Sequence, residues 1–321
     1  MIETLKLSSD DAGIAQAAAL LQRGELVAFP TETVYGLGAD ARNGRAVAAI
    51  YEAKGRPSFN PLIVHVASLE AAEALVELPL VLRDLAQAFW AGPLTLLAPA
   101  RPDCGLSELV SAGLPRIAVR VPANPLAVAL LEAVGAPIAA PSANPSGQIS
   151  PTTAAHVLCG LTGKISAVLD GGACSVGLES TILGATDGIP VLLRPGGLPV
   201  EIIEQAVGQK VASPARGTIE APGQLNSHYA PHAFLRLHAE NPCKDEAYLA
   251  FGNGLDRPNS IDLSPSQNLV EAAANLFAHL RTLDELVERR QLSGIAVAPI
   301  PDTGLGLAIN DRLHRAAAPR R

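Results

Sequence analysis

The chain has 321 residues, 48% hydrophobic but only 3% aromatic, so its core must be built from Ala, Val, Leu and Ile, and the length fits one large domain or two. A formal net charge of −7 and a pI of about 5.5 exclude a general electrostatic attraction to nucleic acid or to an anionic membrane. No run of about 18 uncharged apolar residues and no basic-then-apolar N-terminus is found, so neither a membrane span nor a signal peptide is expected, and the expected location is cytoplasmic.

Asp10 and Asp11 can cap a helix whose apolar positions Ile14, Ala18 and Leu21 follow helical spacing, with Gly24 ending it. Glu25 to Pro30 reads as a short buried strand, and Thr31 to Gly38 as a polar, Gly-bearing turn at its end. Residues 44–54 form an amphipathic helix (Val47, Ile50, Tyr51) that delivers Lys54-Gly55-Arg56-Pro57-Ser58-Phe59-Asn60-Pro61. The two prolines push Arg56 and Asn60 toward extended geometry. Lys54 and Arg56 then project from one side, and Gly55 lets a ligand approach the backbone. A stiff loop offering an ammonium, a guanidinium, a hydroxyl and an amide suits a polyanion such as a nucleotide triphosphate. The same octapeptide also reads as a Pro-punctuated surface loop with two solvated cations.

Leu62 to Ala67 alternates, with Leu62, Val64 and Val66 on one side and Ile63 and His65 on the other. His65 is either a satisfied core histidine or a cleft residue following the Lys54 loop. Helices near 69–77 and 80–91 and a strand from Leu94 to Ala98 come next. In Arg116 to Pro122, Ile117, Val119 and Val121 make an apolar face, and Arg116 and Arg120 occupy the opposite one. A helix from Pro125 to Val134 and a short strand from Ile138 to Ala140 lead into Pro141-Ser142-Ala143-Asn144-Pro145-Ser146-Gly147. Ser142 and Asn144 can face the same way, and Ser150-Pro151 has the pattern of an N-cap and first turn of a helix to about Gly160. A strand end aimed at a helix N-terminus is a ready anion site, although alone it is also an ordinary turn. Three strand-like segments (165–170, 179–184, 190–194) and a helix from Pro199 to Val207 close an N-terminal unit, residues 1–208.

Residues 209–233 lose hydrophobic periodicity and read as a linker, long for a connection inside a compact domain. Residues 234–321 follow as a small α/β domain, with strands at 246–251 and 294–299 and helices at 267–290 and 305–316.

Several motifs are set aside. Gly36-Leu37-Gly38 is separated from its strand by a polar run, and Gly304-Leu305-Gly306 has too little chain after it for a dinucleotide fold. Gly160-Leu161-Thr162-Gly163-Lys164 lacks Walker A spacing, and there is neither a GxSxG nor an HExxH pattern. His228 and His232 would suit a metal on a helix, but the surrounding Pro and Gly prevent one, and no metal site is predicted. The four cysteines (Cys104, Cys159, Cys174, Cys243) are scattered and expected to be buried, reduced thiols. What remains is a site of cations, hydroxyls and amides, suited to phosphoryl or nucleotidyl transfer.

Lys54-x-Arg56 followed at a distance by Ser142-x-Asn144, with Phe29-Pro30-Thr31-Glu32-Thr33-Val34-Tyr35-Gly36-Leu37 and Asn60-Pro61-Leu62, resembles the signature of the YrdC-like family. His228-Tyr229-Ala230-Pro231 in the linker and the Gly304 to Arg312 stretch are similar to its two-domain form, the threonylcarbamoyl-AMP synthases. The resemblance implies a twisted mixed sheet with flanking helices around a basic cavity, plus a small Rossmann-like C-terminal domain without a dinucleotide. It implies synthesis of L-threonylcarbamoyl-AMP and pyrophosphate from L-threonine, bicarbonate and ATP with magnesium. The product would pass to tRNA-modifying threonylcarbamoyl transfer proteins. By the same resemblance Lys54 and Arg56 would be catalytic. Lys54, Arg56, Asn60, Ser142, Asn144, Ser150 and Arg194 would hold ATP, with Tyr229 closing over it. Thr33, His65, Arg120 and Ser180 would hold threonine, Arg120 pairing its carboxylate. Family linkers often carry a basic residue just before the HYAP; here Asn226 and Ser227 stand there. An RNA-binding module using the same basic cavity is the alternative, disfavoured by the acidic charge and the lack of basic–aromatic interleaving. Carbamoyl transfer in hydrogenase maturation is a third reading, but the cysteine pairs of those larger proteins are missing.

Overall fold

Short apolar runs poor in aromatics give short strands, nearly all buried on both faces. In a computed structural model, which describes residues 2–213, 228–252 and 257–319, the first unit contains β1 (Leu5–Leu7), α1 (Asp11–Gln22), β2 (Val27–Phe29), β3 (Gly36–Asp40), α2 (Gly44–Lys54), β4 (Ile63–His65), α3 (Leu69–Glu73), α4 (Leu80–Phe89) and β5 (Leu94–Pro99). It continues with α5 (Glu108–Ser111), β6 (Arg116–Arg120), α6 (Pro125–Val134), β7 (Ile138–Ala139), α7 (Ala154–Leu161), β8 (Ala167–Leu169), β9 (Thr181–Thr186), β10 (Ile189–Arg194) and α8 (Val200–Val207). Its strands form one mixed ten-stranded sheet, order β1-β8-β2-β3-β7-β4-β6-β5-β9-β10. Helix boundaries follow the local chemistry. The Asp10 carboxylate accepts from the Gly13 N–H at the start of α1, and Asn124 followed by proline opens α6.

The centre of the sheet places the site. β4 and β6 are parallel, with His65 in register with Arg120, and β4 is antiparallel to β7. β5 runs antiparallel to β6 and parallel to β9, which brings the start of β9 to the end of the sheet where Arg120 lies. Gly36 bridges Ser142, so the turn before β3 meets the loop after β7. Leu62, Val64 and Val66 pack into the main core, whereas Ile63, His65 and Ala140 floor a cavity on the opposite face.

The second unit has β11 (Leu235–Arg236), β12 (Glu246–Ala250), β13 (Ser260–Asp262), α9 (Leu269–Arg290), β14 (Gly294–Val297) and α10 (Leu305–Ala317), with an all-parallel sheet in the order β11-β14-β12-β13. Its core is continuous with the first unit: Val34, Ile149 and Leu178 pack with Tyr229, Phe277 and Leu280. At this seam Gly177 has φ +75, and a Cβ there would lie 2.5 Å from Ala274 Cα on α9, so only glycine fits. Among the described residues no helix is long and apolar enough to cross a membrane.

Five expectations need correction. Gly36 to Asp40 is a buried strand, not part of the turn, and the turn is Thr31 to Tyr35; the missing β-branched residues hid a strand enclosed on both sides. Lys54 is the last residue of α2, not part of an extended loop. Gly55, at φ +59, caps the helix in the left-handed conformation and turns the chain, bringing Lys54 and Arg56 to one site by another route. Ser150 is not an N-cap, because its hydroxyl goes to Glu179; α7 starts later, capped by Thr153, whose oxygen accepts from the His156 N–H. β11 and β13 were missed, being two and three residues long. All four thiols are free but only Cys174 is buried, its thiol pushed up to about 12 chiefly by burial; Cys159 and Cys243 are exposed. Asn226 and Ser227, and most of the linker, lie outside the described residues.

Candidate active site

Arg120, 3% exposed, anchors one end of the cavity. Its Nη2 donates to Glu32 Oε1 at 2.5 Å, its Nη1 to Thr33 Oγ1 at 2.8 Å and its Nε to the Gly92 carbonyl at 3.2 Å. Glu32 is itself fixed, its other oxygen accepting from the Ala123 N–H. A guanidinium has five N–H groups; three are used, so two remain on a rigidly held plane lining the cavity. A planar pair of unused donors matches a carboxylate.

Beside it Ser180 Oγ lies 2.7 Å from Thr95 Oγ1. His65 sits across the floor with Nδ1 buried and unpartnered. Burial and the nearby Arg120 charge push this imidazole down to about 3, so it is neutral at physiological pH.

The other end is a cluster of cations. Lys54 Nζ donates to the carbonyls of Ser142 (2.6 Å) and Asn144 (2.5 Å), stapling the 141–147 loop to α2 and leaving one of its three N–H groups. Arg56 Nε and Nη2 donate to the carbonyls of Asn60 and Pro61, which orients the remaining guanidinium N–H groups along the cavity wall. Arg194, on the same wall, donates to the Ser180 carbonyl at 2.8 Å. Burial first, and then like charge, works against these groups. Lys54 is pushed well below the ordinary lysine value by desolvation and Arg56. Arg56 falls to about 10 through desolvation, with Arg194 adding to it. Cations that destabilise one another mark a place completed by an anion. Both side-chain polar atoms of Asn60, and Asn144 Oδ1, are buried without a partner among the described residues, a costly condition.

Tyr229, a described linker residue, closes over the cavity. Tyr229, 1% exposed and at φ +63, stacks on Phe277 of α9 at 5.7 Å, with the Arg312 guanidinium carbon 5.2 Å from its ring centre. His228 also lines the cavity, whereas His232 is exposed, so the two do not converge. Among the described residues no group of three potential metal ligands occurs.

Residues 19–196 match the Sua5/YciO/YrdC family model, described as telomere recombination, and residues 198–318 match the model described as threonylcarbamoyl-AMP synthase, C-terminal domain. The chain belongs to the Sua5/YciO/YrdC family. It is 44% identical over 338 aligned residues to the Bacillus subtilis threonylcarbamoyl-AMP synthase, covering 99% of this chain and 96% of that one. It superposes on the crystal structure of Pyrococcus abyssi Sua5 complexed with L-threonine with a TM-score of 0.87 at 39% identity, covering 99% and 97% of the two chains. A putative threonylcarbamoyl-AMP synthase of Mycobacterium tuberculosis is 38% identical over 63% of this chain, which accounts for 92% of its own length.

Against this family background, the structure gathers Thr33, His65, Arg120, Ser180, Arg56, Ser142, Arg194 and Tyr229 around one cavity. Lys54 and Ser150 stand behind its wall, one holding Ser142 and the other hydrogen-bonded to cavity-lining Glu179. Asn60 and Asn144 do not line it. Asn144 turns its Nδ2 back onto the Pro145 and Gln148 carbonyls instead of following the direction of Ser142. Sequence reasoning missed Glu32, Glu179 and Arg312. For Glu179 a signal was available, a lone carboxylate in a mostly apolar stretch, which must find a cation when buried.

Proposed function

We propose that the chain forms L-threonylcarbamoyl-AMP and pyrophosphate from L-threonine, bicarbonate and ATP, in the cytoplasm, for tRNA-modifying proteins that transfer the threonylcarbamoyl group. The observation that carries this reading is the two unused N–H groups of buried Arg120 in a cavity that Arg56 and Arg194 also line. One end suits a small carboxylate and the other a polyphosphate, and a product joining the two is made between them.

In this reading Arg120 pairs with the threonine carboxylate. Neutral His65 and the hydroxyls of Thr33 and Ser180 meet its polar groups. The threonine amine attacks the bicarbonate-derived carbon, forming the N–C bond with loss of water, or of a proton if carbon dioxide reacts. The resulting N-carboxylate oxygen attacks the α-phosphorus of ATP and expels pyrophosphate. Arg56 and Arg194 neutralise the developing phosphate charge, and Lys54 holds the loop that presents Ser142. Fixing three reactants together supplies much of the acceleration, and the Tyr229 roof shields the labile N-carboxylate from water. Glu179, which lines the cavity, and Glu32, which holds Arg120, are already engaged by arginines. They do not form a magnesium cage, and magnesium arrives on the nucleotide as part of the substrate. An RNA strand fits poorly, because the cations are inside the cavity and 8% exposed or less.

Pyrophosphate release, measured with threonine, ATP and bicarbonate each omitted in turn, tests the reading. It should require all three, and release independent of threonine overturns it.

A further inference from the structure

One relative is matched over 92% of its own length by only 63% of this chain, so the question is what the additional unit does here. Besides the apolar seam and the Arg281 bond to the Ile149 carbonyl, one of its side chains reaches a residue that lines the cavity. Arg312, on α10, is fully buried. Its Nε donates to Glu179 Oε2 at 2.7 Å and its Nη1 to the Pro195 carbonyl at 2.9 Å, both residues of the first unit. Asp311 braces it from its own helix, accepting from Nη1 at 2.7 Å and from Arg315 Nε at 3.0 Å. The other oxygen of Glu179 accepts from Ser150 Oγ at 2.5 Å, and Glu179 itself lines the cavity beside Ser180 and Arg194.

We propose that Arg312 is a positioning residue for the nucleotide end of the cavity: through Glu179 it sets the Ser150 hydroxyl, and with its planar face it pins Tyr229 across the roof. The inference rests on the function proposed above. A packing role alone would be served as well by apolar residues, since a buried ion pair repays its desolvation poorly. Here one carboxylate instead bridges the C-terminal arginine to a hydroxyl at the cavity wall. Tyr229 makes the second half of the case. A non-glycine residue at positive φ costs free energy and persists only where its surroundings hold it. Two of the contacts that hold its ring, Phe277 and Arg312, come from the second unit. Arg120 and His65 have no such dependence, because the hydrogen-bond partners of Arg120 and the strands beside His65 belong to the first unit. The second unit therefore bears on the nucleotide directly and on threonine at most through Ser180, the neighbour of Glu179.

The test is calorimetric binding of L-threonine and of a non-hydrolysable ATP analogue, separately, to full-length wild type, Arg312→Met, Arg312→Lys, Ser150→Ala and the Arg312→Met/Ser150→Ala double variant, with melting temperatures recorded. Arg312→Met should weaken analogue binding about ten-fold or more, the loss of a charge-assisted contact, with threonine binding within about two-fold of wild type. Arg312→Lys should recover part of the loss. Ser150→Ala should cost little further in the Met background, because the hydroxyl is already unset. Equal losses for both ligands, or a folded Arg312→Met protein with unchanged analogue binding, overturn the proposal. If Arg312→Met does not fold, Arg312→Lys decides by the same two ratios, and failure of both to fold assigns the pair a structural role and overturns it. Wild-type protein that binds neither ligand instead sinks the function proposed above, a separate outcome.

Discussion

The two ends of the cavity are built differently. The end proposed for the threonine carboxylate rests on strands: Arg120 closes β6, His65 closes β4, and Thr33 and Ser180 stand before β3 and β9. The guanidinium there is neutralised by Glu32 and fixed from three directions. The end proposed for the nucleotide draws mainly on loops, residues 55–61 and 141–150, the second tied to the end of α2 by the Lys54 ammonium. Its cations oppose one another, its amides are orphaned and its roof belongs to the linker. A small constant group is met by a template that is stable when empty, whereas a large, highly charged one is met by a surface completed on binding.

This contrast can be broken at several points. Arg120→Ala should be the most damaging change, because it strands the Glu32 carboxylate in the interior. A destabilisation of about 3–5 kcal/mol is expected, seen as a lower denaturation midpoint, with threonine binding abolished in calorimetry. Arg56→Ala should lower kcat/KM for ATP about 10²-fold or more, with a much smaller effect on stability, since the change also relieves a buried like-charge neighbour of Lys54. Asn60→Leu should act on stability. Removing two unpartnered buried polar atoms should hold or raise the melting temperature, with turnover changed little because this side chain does not line the cavity. A variant that loses stability would show that Asn60 is satisfied in solution.

The smallest effect is on pH. The folded His65 pKa, about 3, lies below its ordinary 6.5, so the unfolded chain binds the extra proton between those values. Its contribution to stability is complete above about pH 6.5 and is lost as pH falls toward 3, by at most about 1.4 kcal/mol per pH unit. His65→Asn should flatten the acid limb of a stability–pH curve, and an unchanged slope would remove His65 as its source.

Much of the architecture could be read from the chain because the signals were local. Pro125 opened a helix, and alternation in 62–66 assigned faces correctly. Where the sequence misled, distant demands had overridden local chemistry. Ser150 precedes proline, as an N-cap should, yet Glu179 took its hydroxyl. Gly36-Leu37-Gly38 has turn composition, yet strands on both sides enclose it. Glu32, Glu179 and Arg312 escaped notice because each has its purpose in a partner at least 88 residues away.

The continuous core across the seam has a bearing on how this polypeptide could ever be shortened. Val34 and Leu178, 7% and 0% exposed, adjoin residues of the cavity itself. Removing everything after Gly208 would uncover them as a greasy rim around a charged opening, a surface prone to self-association. A proteolytic nick that released the second unit would therefore retire the enzyme by clumping as much as by loss of chemistry, and a soluble one-unit version would need polar replacements at those positions before its turnover meant anything.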